Sequence, residues 1–227
     1  MFKFNEKCLK SYSKKDIIGS ILNPYSLDNR FVSQKWLLTS ISKRMIYYYM
    51  YYDILMSSYN ILDVGGGFCS LTREIIKHNN YTLLDIMAHD IGNLINDIEN
   101  EIGTAFFIQG DWFDCNLDSN YDIIIANDLF PNVDQRLDLF IEKFLPICTE
   151  IRLSLTYYNK NIYYKVKRIA ADEIFTIIPW NGGQVKEILK KYKDKIINPN
   201  FSIFENNDKS IFENDRQVIM VKLKGNL

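Results

Sequence analysis

An α/β fold, built on a mostly parallel sheet with helices on both faces, is predicted by three features of the 227-residue sequence. Short apolar runs alternate with amphipathic segments from Tyr59 onward, a triple-glycine turn closes the first run, and acids stand at the ends of later ones. Alternation of this sort means parallel strands joined by crossover helices. The tail adds an antiparallel last strand, and the start reads as a helical extension. The expected division is residues 1–58 as extension or lid and residues 59–227 as the main domain.

The extension holds no strand pattern. Ser13-Lys14-Lys15-Asp16 reads as a helix start, Ile17, Ile18, Ile21 and Leu22 form its apolar face, and Asn23-Pro24 ends it. A longer helical stretch runs from Ser33 to Met56 through Trp36, Leu37, Ile41, Met45, Tyr48 and Tyr52. A helix spreads the run Tyr47 to Tyr52 around its circumference, so some tyrosines face the core and others a groove or partner. An aromatic seam and a substrate-contacting lid both satisfy that pattern.

Ile61 to Val64 is a strand, Gly65, Gly66 and Gly67 a tight turn, and Leu71 to Lys77 a helix. Glycine there allows positive φ and close approach of a ligand to the backbone. The helix start adds unpaired N–H groups and a positive dipole end, which suits a nucleotide-like ligand. Tyr81 to Asp85 is the next strand, followed by a helix over Ile91 to Glu101, with Ile91, Leu94, Ile95 and Ile98 on one face. Ala105 to Gln109 is the third strand. Tyr121 to Ala126 is the fourth, a continuous apolar run of the kind buried on both faces. A helix over Leu137 to Leu145 is closed by Pro146, and Ile151 to Leu155 is the fifth strand. Beyond Tyr157, Lys160 to Ile174 reads as a basic helix, and Trp180-Asn181-Gly182-Gly183 opens a helix from Gln184 to Lys195. Phe201 to Phe204 and Arg216 to Lys224 are extended segments expected to pair antiparallel.

With 47% hydrophobic residues the chain can bury one core and a modest accessory layer. It has no apolar run of membrane-spanning length, and Met1 to Lys15 lacks a signal core, so a cytoplasmic protein with no membrane partner is expected. Lys+Arg of 27 against Asp+Glu of 28 gives no general reason for a nucleic-acid partner. Cys8, Cys69, Cys115 and Cys148 lack metal-ligand spacing, and neither a metal nor a disulfide framework is expected. The expected partner is a small-molecule substrate, with the chain a monomer or homodimer.

The dinucleotide fingerprint needs a third glycine where this chain has Ser70. The segment Asp63-Val64-Gly65-Gly66-Gly67-Phe68-Cys69 instead resembles the first motif of class I S-adenosylmethionine-dependent methyltransferases, with Cys69 in place of the last motif glycine. Taken singly, Asp85, Asp111 and Asp128 also read as helix caps. Taken together they fit the resemblance, which spans Tyr59 to Thr156. It implies a doubly wound Rossmann-like seven-stranded sheet, S-adenosyl-L-methionine as cofactor, and a crevice at the carboxyl ends of the strands. Asp63, Gly65, Gly66, Gly67 and Phe68 would form the cofactor turn, and Asp85 would accept from the ribose hydroxyls, with Ile86 against the adenine. Asp111 would accept from the adenine amino group beside Trp112. Asn127, Asp128 and Leu129 would meet the methionine end.

The resemblance implies methyl transfer, for which the protein supplies alignment and exclusion of water. Relatives acting on hydroxyls place a histidine after the fourth strand, where this chain has Phe130-Pro131-Asn132. His78 reads as a surface residue, and His89 either edges the adenine pocket or belongs to a plain loop. The candidates beside the methyl are Asn132, Tyr157 and Tyr158, with Arg152, Lys160, Lys165 and Arg168 as nearby cations. An already anionic acceptor needs cations rather than a base. The expected activity is therefore an O-methyltransferase on a small polar or anionic acceptor of phosphate, phosphoramidate or sugar type, similar to methyltransferases of bacterial capsule biosynthesis. N-methylation of a small molecule, an NAD-dependent oxidoreductase and a catalytically silent methyltransferase-like module are the alternatives.

Overall fold

The apolar runs assemble into one seven-stranded sheet in the computed structural model, which describes residues 1–22, 27–87, 93–117, 120–168, 173–206 and 208–227. In chain order the strands are β1 (Phe2–Lys3), β2 (Asn60–Val64), β3 (Asn80–Asp85), β4 (Phe107–Gln109), β5 (Tyr121–Asn127) and β6 (Cys148–Tyr157). A separate hairpin of β7 (Tyr164–Arg168) and β8 (Glu173–Ile177) follows, then β9 (Gln217–Lys224). The sheet order is β1-β9-β6-β5-β2-β3-β4. Strands β2 to β6 run parallel, while β9 pairs antiparallel with β6 from Glu150↔Lys224 to Tyr157↔Gln217. The mostly parallel sheet with an antiparallel last strand thus matches the expectation.

Alternation along each strand divides the core in two. Ile61, Leu83, Ile123 and Ile125 face one side, and Leu62, Val64, Leu84, Ile124 and Ala126 the other. The first side is covered by α1 (Glu6–Ser13), α2 (Ile17–Ile21), α3 (Val32–Thr39), α4 (Ile41–Tyr51), α5 (Ser70–Ile76) and α6 (Asn93–Ile102). The second carries α7 (Leu137–Phe144) and α8 (Gly182–Lys191). Each fully buried Ile, Leu or Phe contributes about 1.5–3 kcal/mol, enough to hold isoleucine-rich segments in helices despite their weak propensity.

The structure corrects several boundaries. The extension contributes a strand: Phe2↔Met220 and Lys3↔Ile219 join it antiparallel to β9. Two residues are too few to leave a periodic signal. The predicted helix from Ser33 to Met56 is two helices broken at Ser40, whose backbone is extended and whose Oγ accepts from Lys43 N–H at 3.3 Å. Arg44 satisfies the exposed carbonyls of α3, donating to Leu37 O at 2.7 Å and Leu38 O at 3.1 Å. Lys160 to Ile174 is not a helix; its described part lies in the β7–β8 hairpin, with Tyr164↔Ile177 and Arg168↔Glu173 paired. Phe201–Phe204 is a 3-10 turn rather than a strand, capped by Asn200, whose side chain accepts from Ser202 N–H at 3.2 Å.

Candidate functional site

Strand β2 ends at Val64, and the backbone turns through Gly65 (φ 69°) and Gly67 (φ 63°), a conformation that side chains resist. A Cβ at Gly66 would strike the Asp63 carboxylate, and one at Gly67 would strike Ser33 Oγ. Cys69, in place of the last motif glycine, is extended at φ −156° and starts α5 in a capping box, its N–H reaching Thr72 Oγ1 at 3.3 Å. Any residue adopts that backbone, so this departure strains nothing. Phe68 is buried between Phe31 and Phe106, with ring centroids at 4.8 and 5.6 Å.

Asp63 points to the face covered by the extension. Its Oδ2 accepts from Tyr81 Oη at 2.8 Å, while Oδ1 is buried without a hydrogen-bond partner among the described residues. Burial pushes the carboxyl up to about 7, against the pull of the Tyr81 and Tyr51 hydroxyls. Asp85, at the end of β3, accepts from Gly67 N–H at 3.2 Å and from Met87 N–H at 2.7 Å. It thereby ties the glycine turn to the next loop. Beside it Ile86 is 54% exposed, an open apolar face.

At the third strand end, Asp111 is bound to Arg136 Nη2 at 2.8 Å and accepts from Phe113 N–H at 2.9 Å. Burial raises its pKa, but the hydrogen bonds from Arg136 and Phe113 N–H, with the positive charge of Arg136, together outweigh this and hold the carboxyl below its ordinary value. Trp112 is only 4% exposed: Phe130 and Phe140 pack on its edges, Arg136 lies over its ring at 4.7 Å, and its Nε1 donates to Asp134 at 2.8 Å. The indole is a core side chain, which corrects its expected place as a free wall beside a base.

At the end of β5, Asn127 Oδ1 accepts from Ser154 Oγ at 2.6 Å, while its Nδ2 is buried without a partner among the described residues. Asp128 is left-handed at φ 59°, and its N–H donates to Ser154 Oγ at 2.8 Å. Leu129 closes over the turn, its methyls 3.3 Å from where a Cβ on Gly65 would lie. Asn132 accepts from Tyr164 Oη at 2.8 Å, and Tyr158 packs near Tyr164 with centroids 6.3 Å apart. Tyr157, proposed beside them, is wholly buried against Phe204 under the start of α8. Its position on the strand turns it to the α8 side of the sheet, away from Tyr158. Arg152 is likewise buried, held by Asp53 at 2.6 Å and Met50 O at 2.9 Å, where it anchors the extension to the sheet. Lys160 is an exposed partner of Asp215. His89 lies outside the described residues.

Residues that no motif signalled complete the crevice. Ser33 Oγ donates to Phe68 O at 3.0 Å, Gln34 accepts from Ser70 N–H at 3.0 Å, and Tyr47 Oη donates to Gly66 O at 3.4 Å. The tyrosine run divides accordingly: Tyr47 and Tyr51 face Asp63, while Tyr48 packs on Tyr12 and Tyr52, and Tyr49 on Phe2 and Phe4. Lys43 and Arg216 both reach Asp128, at 3.6 and 3.2 Å. An open cavity of about 340 Å³ lies elsewhere, at the start of α8 among Asn159, Asn161, Asn181 and Phe204, and touches none of these groups.

Sheet order, glycine turn and strand-end acids define a Rossmann-like α/β protein whose candidate site lies outside the carboxyl ends of β2, β3 and β5. Solved structures with this fold include methyltransferases. The chain resembles the PH0226 protein of Pyrococcus horikoshii (TM-score 0.54, 10% identity, covering 94% of this chain and 99% of that one). It also resembles DhpI in its complex with SAH (TM-score 0.52, 14% identity, 93% and 98% covered). A third similar structure is the 1,6-didemethyltoxoflavin-N1-methyltransferase of Burkholderia thailandensis, with bound 1,6-didemethyltoxoflavin and S-adenosylhomocysteine (TM-score 0.52, 10% identity, 96% and 89% covered). No protein-family model matches the chain. A curated relative, the NADP(+) shikimate dehydrogenase of Methanococcus aeolicus, is 31% identical over 86 residues, which are 36% of this chain. The chain spans about a third of that relative's length, 31%.

Proposed function

We propose that the chain is an S-adenosyl-L-methionine-dependent O-methyltransferase acting on a small polar or anionic acceptor. The observation that carries this reading is Asp85, whose carboxylate closes the glycine turn through Gly67 N–H and stands beside the open face of Ile86. A carboxylate at this strand end can accept from both hydroxyls of a ribose, which is the role proposed for it. The other residues fit the cofactor as well: Asp63 Oδ1 and Asn127 Nδ2 are orphaned buried polar atoms, and a Cβ at Gly66 would fill the turn. When bound, S-adenosylmethionine supplies a methyl group on a positively charged sulfur, so the chain's own task is to hold, align and exclude water. Asp85 would fix the sugar, Ile86 would flank the base, and Gly65 to Gly67 with Leu129 would line the methionine end. Asp111, Asn127 and Asp128 complete the proposed cofactor wall, and Asn132 and Tyr158 the acceptor side. An acceptor oxygen of phosphate, phosphoramidate or sugar type, as in capsule polysaccharide modification, agrees with the absence of a histidine after β5 and with the cations near Asp128.

The local likeness to a NADP(+) dehydrogenase favours a second reading, a nicotinamide-dependent oxidoreductase. A dinucleotide seats its pyrophosphate on the N–H groups that open the helix after the turn. Here Ser70 N–H is taken by the buried Gln34 side chain, and Ser70 itself stands where the third glycine belongs. Calorimetry decides between the two. S-adenosylhomocysteine should bind and NADPH should not; the converse result would overturn the methyltransferase reading.

A further inference from the structure

Across the crevice from the glycine turn, Asp128 is the meeting point of two cations from opposite parts of the chain. Arg216 Nη1, from the loop before β9, lies 3.2 Å from Oδ1, and Lys43 Nζ, from α4, lies 3.6 Å from Oδ2. Both are shielded, the Lys43 and Arg216 side chains being 23% and 14% exposed. Each also rests on an aromatic face: Lys43 Nζ is 4.3 Å from the Trp36 centroid and Arg216 Cζ is 4.4 Å from that of Phe212. Such faces stabilise positive charge in a poorly hydrated place. Arg216 Nε is buried and has no acceptor among the described residues. Two positive charges therefore share one carboxylate, with a guanidinium N–H left over. The hydroxyls of Tyr158 and Tyr164 border the same space, the second donating to Asn132.

We propose that Lys43 and Arg216 form a two-armed clamp for a phosphoryl-type oxyanion of the acceptor, with Asp128 as the resident counterion that holds the arms until it arrives. The fork of the guanidinium suits two oxygens of a tetrahedral anion, and the lysine adds a point charge from the far side. Once Asp128 releases the arms, their two positive charges match a dianion better than a carboxylate, which carries one negative charge. The acceptor role of this anion rests on the methyltransferase reading; the clamp itself does not.

The test is calorimetry of the full chain with inorganic phosphate and, separately, with acetate and S-adenosylhomocysteine. Phosphate should bind, and Lys43→Met and Arg216→Gln should each weaken it about tenfold or more, the loss of one charge-assisted contact. Asp128→Asn should tighten it, and acetate should bind more weakly than phosphate. Lys43→Arg keeps the charge and should retain most of the affinity, which separates loss of the clamp from damage to α4. Phosphate affinity that is undetectable in the wild type, indifferent to both substitutions, or matched by acetate would overturn the proposal. Phosphate clamped without S-adenosylhomocysteine binding would remove the methyl-transfer reading and leave the clamp. Cofactor binding without a phosphate response would remove the clamp alone.

Discussion

Tyr81 donates its hydroxyl to Oδ2 of Asp63 at 2.8 Å, and the opposite oxygen of that carboxylate is buried with no partner among the described residues. Burial raises the Asp63 pKa to about 7 in the folded chain, against about 3.9 when unfolded. A folded acid with a raised pKa binds its proton more tightly than the unfolded one. Its contribution to stability is thus complete below pH about 4 and lost as pH rises through about 7, by about 4 kcal/mol in all. Asp63→Asn should flatten that slope in urea unfolding followed from roughly pH 4.5 to 8, a range that covers most of the interval between the two pKa values. Parallel profiles for the two proteins would show that Asp63 is ionised throughout.

Asp85→Ala removes the acceptor that ties Gly67 N–H to Met87 N–H. S-adenosylhomocysteine binding should weaken by about 1.5–3 kcal/mol, the scale of hydrogen bonds to a charged group. An unchanged dissociation constant would displace Asp85 from the ribose role.

Gly66→Ala puts a methyl group into the Asp63 carboxylate. The turn must shift, at a cost of about 1–3 kcal/mol in unfolding free energy typical of overpacking, and cofactor affinity should fall with it. Native stability together with native affinity would mean that the turn relaxes freely.

Arg73 and Asp28 form an ion pair at 2.6 Å, and Asp28 is 0% exposed. Arg73→Met strands a buried carboxylate and should cost about 3–5 kcal/mol at neutral pH. Asp28→Asn should cost less, because Arg73 retains Glu101 at 3.2 Å. Equal losses in the two variants, measured by denaturant unfolding, would show that the carboxylate is relieved by solvent.

The sheet is legible because β5 carries an uninterrupted apolar run, Ile123 to Ala126, because the shorter apolar runs of β2 and β3 end in a glycine turn and an acid, and because crossover helices such as α6 and α7 repeat their apolar residues on one face. The β7–β8 hairpin is masked in the sequence because lysines and tyrosines interleaved from Lys160 onward satisfy a helical face as readily as they satisfy period two. Tyr164-Lys165-Val166-Lys167 does alternate, which is the period of a strand. Asn200 and Ser40 announced a cap and a helix break through side-chain chemistry that apolar periodicity ignores. In the site, the strand-end acids could be found because the sheet brings strand ends together. Lys43 and Arg216 could not: they meet at Asp128 from α4 and from the loop before β9, and no motif spacing joins them. Tyr157 and Tyr158 were indistinguishable as neighbours in sequence, yet only Tyr158 turns toward Asp128 and Arg216.

Lys43 and Tyr47 stand one turn apart on α4, so a single helix face touches Asp128 with one residue and the Gly66 carbonyl with the other. A helix with a side chain in each half of the crevice would couple the two ligands the site is proposed to hold. Whatever factor the first ligand adds to the second's affinity, the second must return to the first.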